Sequence, residues 1–234
     1  STSLTAQEIA EKLDFYGSYF DVNIDRDYSY ISFCSLKKFF EPTLDVAREI
    51  LLHPAFPERE FNIYCQKRKQ SLTIERQKVD MQSREMFAEA LFGSNHPYGI
   101  STPEEAYDDL TTDDLREHYD GLYTAENSFV VCSGNIDDRV YNHIADLASE
   151  LRTGTSIDIK FPKPTTTHYL ERNIDSALQS SVRVGRLLFP RTHPDFVGMQ
   201  VVAAILGGYF GSRLMQNLRE EHGYTYGVMA AMVN

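Results

Sequence analysis

Basic residues are scarce: 23 Lys and Arg stand against 34 Asp and Glu, a formal net charge of −11. Affinity for a polyphosphate backbone comes from clustered cations that displace counterions, so this balance argues against nucleic acid as a partner. The one basic cluster, Lys67-Arg68-Lys69, lies in a helical stretch rich in Gln and Glu and reads as a solvated face. Long apolar runs are also missing. The most apolar stretch, residues 196–210, is interrupted by glycines and Gln200 and falls short of the roughly 20 residues a membrane-spanning helix needs, so no span is expected. The three cysteines, Cys34, Cys65 and Cys132, are odd in number and lack C-x-x-C spacing. That excludes an encoded disulfide framework or zinc ribbon and leaves the compartment unassigned. The seven histidines never come closer than 22 residues, so neither H-E-x-x-H nor H-x-x-E-H occurs. A G-x-S-x-G elbow and a phosphate loop with its Lys are likewise absent. Residue 1 is a Ser with no Met and no charged-then-apolar leader behind it, so any export signal is expected upstream.

What the chain does contain is core-forming material. Hydrophobic residues make up 42%, with 14 Tyr and 14 Phe, against 24% charged, which places the bulk of the chain among globular rather than disordered sequences. Thr5-Ala6-Gln7-Glu8 is a capping box, with Ile9, Leu13 and Tyr16 at helical spacing behind it and Gly17 placed to end the helix. Residues 19–24 and 28–36, rich in β-branched and aromatic types, flank Asp25-Arg26-Asp27 as an antiparallel hairpin. Helical patterns follow over residues 44–52, 57–80, 83–92, 112–119 and 137–151, with a short apolar strand at 128–133. Between 152 and 167 the periodicity lapses into Gly, Pro and Thr, and residues 153–167 read as a linker. Beyond it strands are predicted at 168–172, 178–188 and 224–233 and helices at 194–206 and 212–221. Strands and helices intermix without strict alternation, so the fold class is α+β.

Few local features carry chemistry. His53, His96 and His193 each precede a Pro and read as surface turn residues. Gly207-Gly208 reads as a tight turn in preference to an anion site, because G-x-G-x-x-G spacing is lacking. The most informative segment is 212–226. There Arg219 ends a helix marked by Leu214 and Leu218, Gly223 turns the chain, and Tyr226 falls on the following strand. A guanidinium and a phenol at such a corner can grip a carbonyl or carboxylate, or stabilise a developing oxyanion. The plainer alternative is an Arg favoured at a helix C-terminus and a Tyr packed on a sheet.

That segment, Ser212-Arg213-Leu214 through Leu218-Arg219-Glu220 to Gly223-Tyr224-Thr225-Tyr226, preceded by Ile205-Leu206-Gly207-Gly208, resembles a block of the pitrilysin/insulinase family of zinc metallopeptidases, which includes the mitochondrial processing peptidases. Further blocks follow in the family's order: Glu8-Ile9, Leu13, Gly17 and Asp27; Pro54-Ala55-Phe56; His96-Pro97-Tyr98-Gly99; Asp114-Leu115 and Tyr119; the strand over 128–134; Ser180, Val184-Gly185 and His193-Pro194-Asp195. The resemblance implies two related α/β-roll domains, antiparallel sheets packed with helices and both incomplete here: residues 1–152 and 168–234, joined by 153–167. In the family, one half of a clam-like chamber carries H-x-x-E-H and a distal glutamate as zinc ligands. The other half often lacks them and contributes an Arg and a Tyr, seven residues apart, that bind substrate and support the transition state. Arg219 and Tyr226 match that spacing.

The distal glutamate should fall near Ser71, where no carboxylate stands; Glu75 lies one helical turn away. Zinc in such sites takes three protein ligands and a water, and a hydroxyl in place of a carboxylate removes most of the affinity. The resemblance therefore implies an accessory, substrate-binding half with no metal bound by this chain and not catalytic alone. Its expected partners are a related zinc-binding peptidase subunit and a peptide substrate, and the acidic balance suits basic peptides. Two alternatives stay open. One is a self-sufficient zinc endopeptidase with H-x-x-E-H upstream of Ser1 and Glu75 as metal ligand. The other is a non-catalytic scaffold subunit of the same fold.

Overall fold

The computed structural model describes residues 1–233. They fall into two units, Ser1–Arg183 and the residues from Val184 onward. The first unit begins as its caps dictate. In α1 (Ala6–Tyr16) the Thr5 hydroxyl accepts from the Glu8 N–H at 3.2 Å, and the Glu8 carboxylate accepts from the Thr5 N–H at 2.8 Å. Gly17, at φ 58°, closes the helix in the left-handed conformation that glycine adopts without a Cβ penalty. The chain then turns into the hairpin β1 (Tyr19–Ile24) and β2 (Ser29–Cys34), paired antiparallel from Tyr19 opposite Cys34 to Ile24 opposite Ser29.

Helix α2 (Phe40–Leu52) is the centre of this unit's core. Thr43, Val46 and Ala47 are buried on it, facing α1 through Leu13 and α6 (Asp138–Ser149) through Val140 and Leu147. The buried Thr43 hydroxyl is satisfied by the Phe39 carbonyl at 2.8 Å and the Ser18 hydroxyl at 2.6 Å. Helices α3 (Glu58–Arg76) and α4 (Val79–Phe92) meet around the half-buried Arg76, which donates from Nε and from one terminal nitrogen to Glu85 at 3.2 and 3.1 Å, and to the Thr102 carbonyl at 2.6 Å. The break between α3 and α4 comes at Lys78, which is extended at ψ 129°, so α4 starts at Val79, four residues earlier than its sequence pattern suggests. Helix α5 (Thr112–Leu122) opens on a second capping box between Thr111 and Asp114.

The hairpin tip is a dense polar knot. Asp25 accepts from the N–H groups of Asp27 and Tyr28 at 2.8 and 2.7 Å and from the Tyr30 hydroxyl at 2.9 Å, with the Asp27 N–H bond foremost in holding its carboxyl below the usual range. The Tyr98 phenol donates to Asp27, which pushes its pKa up to about 12, and the Arg26 guanidinium lies 5.3 Å from the Tyr98 ring centroid. Beside this knot sits His96. Expected at a surface turn, it is buried: its ring stacks on Phe92 at 5.0 Å and Phe161 at 5.6 Å, and its Nδ1 accepts from the Tyr98 N–H at 3.0 Å.

The predicted strands at 128–133, 168–172, 178–188 and 224–233 form no ladder; among the described residues the β1–β2 pair is the only one. Residues 129–137 do touch the chain on either side of β2, through the Tyr28–Phe129 ring contact at 5.9 Å and through Lys37, which reaches Asn135 at 3.1 Å and Asp137 at 2.8 Å. A strand is defined by its partner as much as by its own pattern, since its N–H and C=O groups are satisfied only across a ladder. Unpaired, these segments leave apolar side chains in solvent, with Leu178, Val182 and Val184 at least four-fifths exposed.

The second unit is built around α7 (Phe196–Ala203), which continues in wider π winding over Ala204–Gly208. A second π-wound helix, Met215–Glu221, follows a turn anchored by the buried Ser212. Gly207 is not simply a turn residue. A Cβ there would lie 2.4 Å from the Ala230 nitrogen, and the Ala230 N–H donates to the Gly207 carbonyl at 3.1 Å. Only glycine admits so close an approach of two backbones.

Two consequences are measurable. Gly207→Ala should destabilise the second unit by roughly 1–3 kcal/mol, the usual cost of overpacking, read as a lower denaturation midpoint; an unchanged midpoint would mean the approach is not tight. Asp114 is held below the usual carboxylate range first by the Thr111 hydroxyl and then by the Thr111 N–H. A lowered folded-state pKa contributes stability that is complete above the unfolded value of about 3.9 and is lost as the pH falls through the folded value. Acidification from about pH 5 to 2 should therefore fray the first turn of α5, seen in Cα chemical shifts, while Asp114→Asn should remove that pH dependence.

Candidate substrate-binding groove

The segment singled out by sequence folds into one side of an open groove in the second unit. The π-wound helix Met215–Glu221 buries Met215 and half-buries Leu214 and Leu218, so the apolar stripe faces inward as its spacing requires. π winding is uncommon and recurs at functional sites, where the wider turn redirects side chains. Past the helix end the chain is turned by Gly223, φ 65°. Its N–H donates to the Arg219 carbonyl at 3.1 Å, and the Tyr224 N–H donates to the Leu218 carbonyl at 2.9 Å. This closure satisfies carbonyls that the helix end would leave unpaired, and it sends residues 224–233 back past Gly207.

The groove, about 420 Å³, is lined by Gly207–Phe210, Met215 and Gly227–Met229. Its two walls are the backbones that the Ala230–Gly207 hydrogen bond holds together. Along the second wall the burial alternates, with Val228, Ala230 and Met232 turned inward between exposed neighbours, which is the period of an extended chain. The lining is apolar and carries two methionines, side chains that adapt readily to irregular partners.

Arg219 stands beside this groove. Its guanidinium carbon lies 4.7 Å from the centroid of Phe210, a groove-lining ring, and its Nε is 3.5 Å from a Glu220 carboxylate oxygen. Tyr226 precedes the groove-lining Gly227 and is 91% exposed. Among the described residues no hydrogen bond joins Arg219 to Tyr226, and the Tyr226 hydroxyl has no partner. Phe210, Met215, Met229 and Glu220 carry no sequence signal of their own. Met215 alone could have been placed, being one helical turn before Arg219 on the same face.

Ser71, the position expected for the distal glutamate, and Glu75, the one residue weighed as a metal ligand, lie in the first unit. Ser71 is exposed on α3, and Glu75 pairs with Arg68 at 3.4 Å. Among the described residues no group of three or more His, Cys, Asp or Glu could hold a metal ion. A zinc centre needs at least three such donors converging on one point, so the donor set described here does not fit one.

Comparison with known proteins agrees with the fold. A sequence profile described as "Peptidase M16 inactive domain" matches residues 109–234. A Bacillus subtilis (strain 168) protein named "Uncharacterized zinc protease YmxG" is 25% identical over 97% of this chain and 56% of its own length. An "Uncharacterized zinc protease" of Rickettsia felis is 23% identical over the same shares. The chain thus spans about half the length of the curated relatives it matches. Among solved structures, a peptidase M16 inactive domain from Pseudomonas fluorescens superposes with a TM-score of 0.79 at 21% identity, covering 97% of this chain and 56% of that one. A protease from Helicobacter pylori reaches a TM-score of 0.68 at 16% identity, covering 97% and 59%. At these identities the structural likeness is one of fold. With more than half of its length matched by the profile, the chain belongs to the peptidase M16 inactive-domain family, within the pitrilysin group of zinc proteases.

Proposed function

We propose that this chain forms part of the accessory, substrate-binding half of a zinc metallopeptidase, its two peptidase-like domains (1–152 and 168–234, joined by 153–167) facing a related zinc-binding subunit across a peptide. The observation that carries this reading is the position of Arg219 at the edge of an apolar groove, held over Phe210 with its two terminal nitrogens free of partners among the described residues. A guanidinium so placed can donate two hydrogen bonds to a peptide carbonyl or carboxylate, or to the oxyanion that develops as a peptide bond is attacked. Tyr226, exposed next to the groove wall, offers a phenolic donor to the same substrate. The groove accepts an apolar portion of the peptide, and the zinc chemistry is supplied by the partner.

The match of residues 109–234 to an inactive-type domain supports an accessory role over a catalytic one. The names of the curated relatives favour a second reading, a self-sufficient zinc endopeptidase whose remaining ligands lie outside residues 1–234, with Glu75 contributing.

In the assembled pair, Arg219→Ala should lower kcat/KM for peptide by roughly 10- to 100-fold, the worth of a hydrogen bond from a charged donor. Arg219→Lys should recover only part, because an ammonium lacks the bidentate fork. An unchanged kcat/KM for Arg219→Ala would reduce the residue to a helix-end Arg.

A further inference from the structure

Arg219 ends a helix on a long, freely rotating side chain, yet a substrate-binding guanidinium must be held in one place before the peptide arrives. Glu220 cannot do this alone. It is the next residue in sequence, its side chain is 54% exposed, and its carboxylate is 3.5 Å from Nε without a hydrogen bond. The second contact is with the ring of Phe210, whose centroid lies 4.7 Å from the guanidinium carbon.

Phe210 is itself 66% exposed, so core burial does not account for an aromatic ring there. The backbone nonetheless presents it. The Ser212 N–H donates to the Tyr209 carbonyl at 3.1 Å, closing a turn with Phe210 at its tip, and Ser212 is fully buried beneath it. Neighbouring Gly211 leaves room for the Tyr209 ring, which a Cβ would meet at 3.1 Å. The turn thus holds Phe210 at the groove edge and over Arg219.

We propose that Phe210 is the positioning residue for Arg219: its π face fixes the guanidinium plane, so that the Nη edge points toward bound peptide. The inference rests on the reading of Arg219 as a substrate-binding group. A guanidinium held by its face keeps its in-plane donors available, the geometry that bidentate recognition of a carbonyl or carboxylate requires. Phe210 also lines the apolar groove, a role that a Leu would keep; what its π face adds to affinity is transmitted through Arg219.

The test is a double-mutant cycle on the full-length protein with its zinc-binding partner, measuring Kd for a model peptide. Phe210→Leu keeps an apolar side chain and removes the π face. It should weaken binding about two- to fivefold, the worth of an exposed cation–π contact. Phe210→Trp should bind as well as the parent or better. In an Arg219→Ala background, Phe210→Leu should have no further effect. Weaker binding by Arg219→Ala combined with an equal Phe210→Leu penalty in both backgrounds, or with Phe210→Trp binding as weakly as Phe210→Leu, would make Phe210 an apolar wall only and overturn this inference alone. Unchanged binding by Arg219→Ala would overturn the reading of the site and this inference together.

Discussion

The second unit depends on two backbones meeting where no side chain fits. Gly207 and Ala230 share a hydrogen bond at a separation that leaves no room for a Cβ, and the two chain segments they join are the walls of the groove. Separate those walls and Phe210 and Met215 no longer share a cavity with Val228 and Met229. The π winding of Ala204–Gly208 belongs to the same constraint: Gly207 leaves helical geometry at φ −157°, ψ 16°, turning its carbonyl toward the Ala230 N–H. A kink that would weaken an ordinary helix becomes the hinge on which the groove is hung.

In the first unit the corresponding constraint is polar. The hairpin tip and the turn over residues 93–99 are joined by Tyr98 to Asp27 and by Arg26 to Tyr98, while His96 fills the space between Phe92 and Phe161. Those aromatic faces give His96 an apolar setting, and its Nδ1 takes the Tyr98 N–H, so one buried polar atom is satisfied at no cost to the stack. Arg76 does similar work between α3 and α4, where one guanidinium binds a carboxylate and a carbonyl from different segments. Such half-buried, multiply bonded arginines hold elements in register more effectively than single surface ion pairs.

What the sequence made legible follows from the range of each interaction. The helix start at Thr5 and the stop at Gly17 were readable because a cap is decided within four residues. The α+β class was readable from the mixture of periodicities, and the family from several blocks in register. Strands beyond the hairpin were not, because alternation says which side chains want burial and not which segment will pair with them. His96 was misplaced for a related reason: His-Pro marks a turn in the backbone, while the burying ring of Phe161 is far away in sequence. At the groove, the seven-residue spacing of Arg219 and Tyr226 had meaning only through the family resemblance. Phe210 had none, since a ring and a guanidinium nine residues apart across a turn leave no periodic trace.

The central proposal, that this chain belongs to a substrate-binding half rather than a zinc-bearing one, rests on a groove edged by Arg219, whose two terminal nitrogens have no partner among the described residues. The most direct measurement is the zinc content of the purified full-length protein, taken together with peptide binding and hydrolysis, first alone and then with its zinc-binding partner. The account predicts peptide binding without hydrolysis and well under one zinc per chain when alone, with hydrolysis only in the pair. One zinc per chain with peptide hydrolysis by the isolated protein would contradict it.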